Sequence, residues 1–158
     1  MTGPYIVAVS SSGLAVRFET ETFVEPSNKN GRVYMRVKSG EKVVGAEVAS
    51  GSENVCLASR QGRALIFPVP QVPVFKSAAK GVIAMRLSGA DDRVLGMAVS
   101  EAARRGLEVE TSRGRTEIVR TTKFDVSNRG NKGSTIISRG TLKAATADPT
   151  ELHLPGRE

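Results

Sequence analysis

The sequence predicts an all-β fold, a propeller-like array of about three four-stranded blades in a partial ring, on three observations. A unit of about fifty residues recurs, because Gly13, Gly62 and Gly114 keep the same period as the later glycines Gly31, Gly81 and Gly133. The columns between the glycines agree as well: Ile6-x-Ala8-x-Ser10-x-x-Gly13, Val55-x-Leu57-x-Ser59-x-x-Gly62 and Leu107-x-Val109-x-Thr111-x-x-Gly114. Short runs rich in Val, Ile, Leu and Thr alternate with Gly, Ser and Asn clusters, and four runs per unit is the strand count of a propeller blade.

In the first unit the runs 5–10, 14–20, 32–38 and 42–49 read as strands. The second unit offers 54–59, 63–67, 82–88 and 93–100, and the third 107–111, 115–121, 134–138 and 141–146. Pro68, Pro70 and Pro73 lack amide donors, so the stretch after Phe67 reads as an extended connector rather than a central strand. Residues 1–146 are expected to form one domain with repeats near 5–50, 53–100 and 107–146. Residues 147–158, with Pro149, Pro155 and Gly156, lack periodicity and read as a disordered tail.

Period-2 alternation after the later glycines places Val33, Met35 and Val37 on one face and Arg32, Tyr34 and Arg36 on the other. The second copy then turns Ile83, Met85 and Leu87 inward and Arg86 outward with Ala84. Phe18, Phe67 and Val119 share one repeat column, and Phe23, Val72 and Phe124 another, so the aromatics read as blade packing rather than as stacking platforms for single-stranded nucleic acid.

The 158-residue chain carries 23 Lys and Arg against 16 Asp and Glu, a formal charge of +7, which suits a polyanionic partner such as nucleic acid or an anionic membrane surface. Cys56 has no partner for a disulfide and sits among apolar strand residues, as a small core group. The apolar run Tyr5 to Val9 is broken by Ser10-Ser11-Ser12-Gly13 and follows no basic residue, unlike a secretory core, and no run reaches the length of a membrane span. The chain therefore reads as soluble, unexported and without a membrane partner.

The candidate binding residues are cations in repeated positions. Arg36 and Arg86 occupy equivalent outward positions, where cations repeated from blade to blade can follow a phosphate backbone. The segments before and at the later glycines hold Lys29 and Arg32, then Lys76 and Lys80, then Arg129, Gly130, Lys132 and Gly133. Glycine lets the backbone approach an anion while Lys and Arg add charge. A third set flanks the turn glycines, Arg60 and Arg63 beside Gly62, and Arg113 and Arg115 beside Gly114. Catalysis finds little support: His153 is the single histidine, no cluster has metal-ligand spacing, and no cofactor is expected. Asp91-Asp92 reads as a solvated turn pair.

Together, the strand, Ser-x-x-Gly, strand, Lys-Gly, Val-x-Met-Arg-Val and Val-Val-Gly order over residues 5–146 resembles the C-terminal DNA-wrapping domain of bacterial type IIA topoisomerase A subunits, those of DNA gyrase and topoisomerase IV. That family's heptapeptide Gln-Arg-Arg-Gly-Gly-Lys-Gly is retained in Ser127–Gly133 at Arg129, Gly130, Lys132 and Gly133, with Ser127, Asn128 and Asn131 elsewhere. The gyrase box belongs to the first blade, whereas here the best copy is in the last, which implies a weaker, topoisomerase IV-like grip.

The resemblance implies a β-pinwheel, whose outer strands are exchanged between neighbouring blades and whose basic rim binds and bends duplex DNA. It also implies a bacterial cytoplasmic, nucleoid-associated setting and, as partners, the B subunit with the A-subunit catalytic core. The family's DNA-cleaving tyrosine belongs to a separate domain, so Tyr5 and Tyr34 are not given that role and the chain alone is expected to be non-catalytic. Other readings are a protein-interaction scaffold or a truncated product without independent function. Three blades also leave open sheet edges, which invite self-association.

Overall fold

The computed structural model describes residues 5–20, 35–100, 106–137 and 139–147. Eleven strands are seen among them: β1 (Tyr5–Ser10), β2 (Leu14–Glu19), β3 (Val43–Ala49), β4 (Asn54–Ser59), β5 (Arg63–Pro68), β6 (Val82–Ile83), β7 (Val94–Ser100), β8 (Leu107–Thr111), β9 (Thr116–Val119), β10 (Ser134–Thr135) and β11 (Leu142–Ala147). They form three antiparallel sheets ordered β3-β1-β2-β6, β10-β5-β4-β7 and β11-β8-β9. The fold class read from the repeats is the one observed.

The outer strand of each complete blade comes from the following repeat. β6, from the second repeat, pairs with β2 through Ala15↔Val82 and Leu14↔Ile83. β10, from the third, pairs with β5 through Ala64↔Ser134 and Arg63↔Thr135. Repeat symmetry extends to irregularities: the β1–β3, β4–β7 and β8–β11 ladders all shift register at one equivalent position, after Val43, Val94 and Leu142. A β-bulge there bends the third strand of every blade.

Stacked sheets explain the strand composition. One face of β1 (Val7, Val9) meets one face of β4 and β5 (Val55, Leu57, Leu65, Phe67) in a first core, with Met85 and Met97. The opposite face of the second sheet (Cys56, Ala58, Ala64, Ile66) meets Leu107, Val109 and Val119 in a second core. A sheet covered on both faces needs apolar residues at consecutive positions, as Val55-Cys56-Leu57-Ala58 supplies. Ala8, Val16, Phe18 and Met35 form a third cluster on the free side of the first blade. Cys56 is fully buried as expected, and burial, with the Glu47 carboxylate, pushes its thiol up to about 12.

Between blades the third strands approach closely: a side chain at Gly45 would collide with Met97, and one at Gly96 with the Ala145 backbone. The Glu47 carboxylate reaches from β3 to accept the Val99 N–H of β7. Phe18, Phe67, Val72 and Val119 are buried and Phe124 packs on the second core, in line with the packing columns, while Phe23 lies outside the described residues.

Several expectations need correction. Among the described residues, the runs 82–88 and 134–138 contain only the two-residue strands β6 and β10. The cause is local: the N–H groups of Ala84 and Met85 both turn to the Gly13 carbonyl, and those of Ile136 and Ile137 to that of Gly62, so the ladder ends over the neighbouring hairpin tip. Two consecutive amides aimed one way also break the alternation, leaving Ala84 buried and Ile83 47% exposed, the reverse of the expected facing. Of the run 32–38, residues 32–34 lie outside the described residues and Met35 makes one parallel bridge with Ala79. A short 3-10 turn, Val69–Gln71, occupies the proline-rich connector. The tail beyond Ala147 lies outside the described residues.

Candidate nucleic-acid interface

Strand exchange brings the basic segments of successive repeats together. The Arg36 N–H donates to the Ala79 carbonyl at 2.8 Å, one residue before Lys80, and the Arg86 N–H donates to the Asn131 carbonyl at 3.0 Å, one residue before Lys132. Arg36, Lys80, Arg86 and Lys132 are all exposed. The same cation pair is thus built twice, at consecutive repeat junctions. Around the second, Ile83, Arg86, Arg129, Gly130, Asn131 and Lys132 line an open groove of about 510 Å³.

The Ser127–Gly133 loop owes its shape to bonds with the second repeat. Its ends are tied by the Ser127 N–H to Ile66 carbonyl bond at 2.7 Å and by the Arg63 guanidinium to the Gly133 carbonyl at 3.3 Å. Between them the Gly130 N–H reaches the Ala84 carbonyl at 2.7 Å, and Asn131 Nδ2 donates to Ser127 Oγ at 2.8 Å. Gly133 has φ +85°, and a Cβ there would strike the Ala64 carbonyl oxygen, so the Lys-Gly step requires glycine.

Arg129 is committed to the protein itself. Its Nε donates to the Gln71 carbonyl at 2.9 Å and its Nη1 to the Ile83 carbonyl at 2.8 Å, while its own N–H is received by Gln71 Oε1 at 2.7 Å. Gln71 Nε2 completes the clasp on Asn128 Oδ1 at 3.0 Å. Arg129 therefore holds the loop against the exchanged strand, and Lys132 is the exposed cation of the heptapeptide. Sequence reasoning missed Gln71 and Asn131, since neither belongs to a charged or glycine column.

The other candidates are scattered. Lys76 is exposed, on the connector leading to Lys80. Half-buried Arg60 donates to the Asp91 carbonyl at 3.2 Å, and shares a pocket with Asp91, Asp92 and Arg93. Arg113 and Arg115 are exposed and, with Arg139, line a pocket of about 290 Å³ at the third hairpin tip. Arg139 was not among the sequence candidates. Lys29 and Arg32 lie outside the described residues.

Asp92 corrects the solvated-pair reading: it is buried, and its carboxylate accepts the Gln61, Ser88 and Arg93 N–H groups at 3.1, 2.9 and 3.0 Å. Asp91 alone is exposed. Glu53 plays a similar internal part. Burial pushes its carboxyl up, yet hydrogen bonds from the Ser50 N–H and Oγ and the Gly51 N–H outweigh this and hold it below its ordinary 4.5.

The family described as the DNA gyrase C-terminal domain, a β-propeller, matches residues 4–50 and 53–101, more than half of the chain. The DNA gyrase A subunit of Mycolicibacterium smegmatis is 29% identical over 158 aligned residues, covering 95% of this chain and 18% of that protein. Among solved structures, the C-terminal domain of DNA topoisomerase IV superposes with a TM-score of 0.80 at 19% identity, over 93% of this chain and 47% of that one. The DNA gyrase A C-terminal domain gives 0.74 at 22%, over 94% and 50%. The chain thus spans under a fifth of that curated relative and about half of each solved domain. The repeats, the exchanged outer strands and the family match agree that this chain belongs to the DNA gyrase C-terminal domain family.

Proposed function

We propose that the chain is a sequence-tolerant module that binds and bends duplex DNA as a non-catalytic part of a type IIA topoisomerase. The observation that carries this reading is the cation pair repeated at successive junctions, Arg36 with Lys80 and Arg86 with Lys132. Cations repeated along a rim neutralise phosphates without reading bases, which gives affinity and path rather than sequence preference. The glycine-shaped loop before Gly133 exposes Lys132 at the same junction. The protein partners this reading entails, in the bacterial cytoplasm, are the A-subunit catalytic core and the B subunit. Arg129 contributes by positioning that loop. Titration of unrelated linear duplexes at two salt concentrations tests the reading: similar affinities that fall steeply with salt are expected. Absence of binding at low salt would overturn it.

A further inference from the structure

Both junctions between blades are narrow at one edge and broad at the other. In the sheet orders β3 and β7 lie at the edge opposite the exchanged strands β6 and β10, and β11 takes the same place in the third sheet. At that edge third strand packs on third strand, β3 on β7 and β7 on β11. On the side of the outer strands the first junction is filled by Leu65, Phe67, Val72 and Met85, and the second by Ile66, Val119 and Phe124. At the third strands the facing residues are small, Gly45 in the first junction and Gly96 in the second.

The two junctions set equivalent positions against each other. Gly45 pairs with Val9 and Gly96 with Ala58 in their ladders, at one position of the repeat. Facing them are Met97 at the first junction and Ala145 at the second, equivalent in turn through their pairs Leu57 and Val109. Neither glycine has a positive φ, so its own conformation does not require glycine. What each supplies is room: a Cβ on Gly45 would strike the Met97 side chain, and one on Gly96 would strike the Ala145 main chain. Glu47 of β3 ties the first of these edges by accepting the Val99 N–H of β7.

Sheets stacked face to face ordinarily stand about 10 Å apart, and glycine permits a closer backbone approach. Closer approach at one edge only turns a stack of sheets into an arc, with the third strands inside and the exchanged strands, beside Arg86 and Lys132, outside. We propose that Gly45 and Gly96, with Met97 and Ala145 as the knobs against them, set the angle between successive blades and hence the curvature given to DNA along the opposite rim. They are positioning residues and touch no DNA. The smaller knob, Ala145, lets the main chains meet and makes the turn from the second blade to the third the sharper one. This role rests on the DNA-binding reading above, and it assigns the bend to residues that carry no charge.

The test is energy transfer between the ends of a doubly labelled linear duplex at protein saturation, for wild type, Gly45→Ala, Ala145→Met and Gly45→Ala/Met97→Ala, with thermal unfolding of each. All the variants keep every cation, so affinity is expected to stay within about twofold of wild type. Transfer is expected to rise when wild type binds. Gly45→Ala and Ala145→Met thicken the narrow edge and push the third strands apart, so each loses part of that rise. Gly45→Ala/Met97→Ala returns the space and regains it, which a general loss of packing would not do. Wild-type transfer in a folded single variant would overturn the angle-setting role while leaving the DNA-binding reading in place. Wild-type binding without a rise in transfer would overturn that role together with bending, and no wild-type binding would overturn the whole reading.

Discussion

Arg129 Nη1 lies 2.8 Å from the Ile83 carbonyl oxygen, so a side chain of the third repeat holds the strand that the second repeat gives to the first blade. Three repeats meet at this one bond. Arg129→Ala removes it together with the bond to the Gln71 carbonyl, and is expected to cost about 1–3 kcal/mol in urea unfolding. Lys132→Ala, at an exposed position, is expected to stay within about 0.5 kcal/mol of wild type. Equal losses for the two variants would contradict a clasp role for Arg129.

Glycine substitutions separate a covered position from an open tip. Gly133→Ala meets both a φ of +85° and the Ala64 carbonyl, so a loss of about 3 kcal/mol or more is expected from strain and displacement together. Gly114→Ala meets only a φ of +84°, with an expected loss of about 1–2 kcal/mol. Thermal unfolding of both variants measures the difference, and a larger loss at Gly114 would contradict the exchanged packing.

The buried Glu53 carboxylate gives a pH signature. Its folded pKa lies below the ordinary 4.5, so its stabilisation is complete above that value and is lost as pH falls through the lowered folded value. Glu53→Gln is expected to be less stable than wild type by about 1–3 kcal/mol at neutral pH. The gap should narrow as the pH drops below 4.5, read from urea midpoints. A gap independent of pH would contradict the assignment.

Hairpins such as β1–β2 were legible because alternating columns and a tip glycine specify them locally. Membership of the outer strands was not legible from the residues themselves: Val82-Ile83 reads as a strand, but nothing in those two residues says that its partner is Leu14-Ala15. That came from the family resemblance. The short length of β6 was also hidden, since it depends on two amides converging on the Gly13 carbonyl. At the candidate interface, charge columns picked out Arg36, Arg86 and Lys132, all exposed. Composition could not show that Arg129 and Arg60 spend their guanidinium groups on main-chain carbonyls, because those carbonyls arrive from other segments of the chain.

Whether the repeated junction cations hold duplex DNA is tested most directly by one comparison. Duplex affinity is measured for wild type and for Arg36→Ala/Lys80→Ala/Arg86→Ala/Lys132→Ala across a salt series, with thermal unfolding of both. The predicted result is an affinity lower by at least about tenfold at low salt and a shallower salt slope, with little change in Tm because all four side chains are exposed. Unchanged affinity and slope in a folded variant would contradict a DNA-holding role for these four residues.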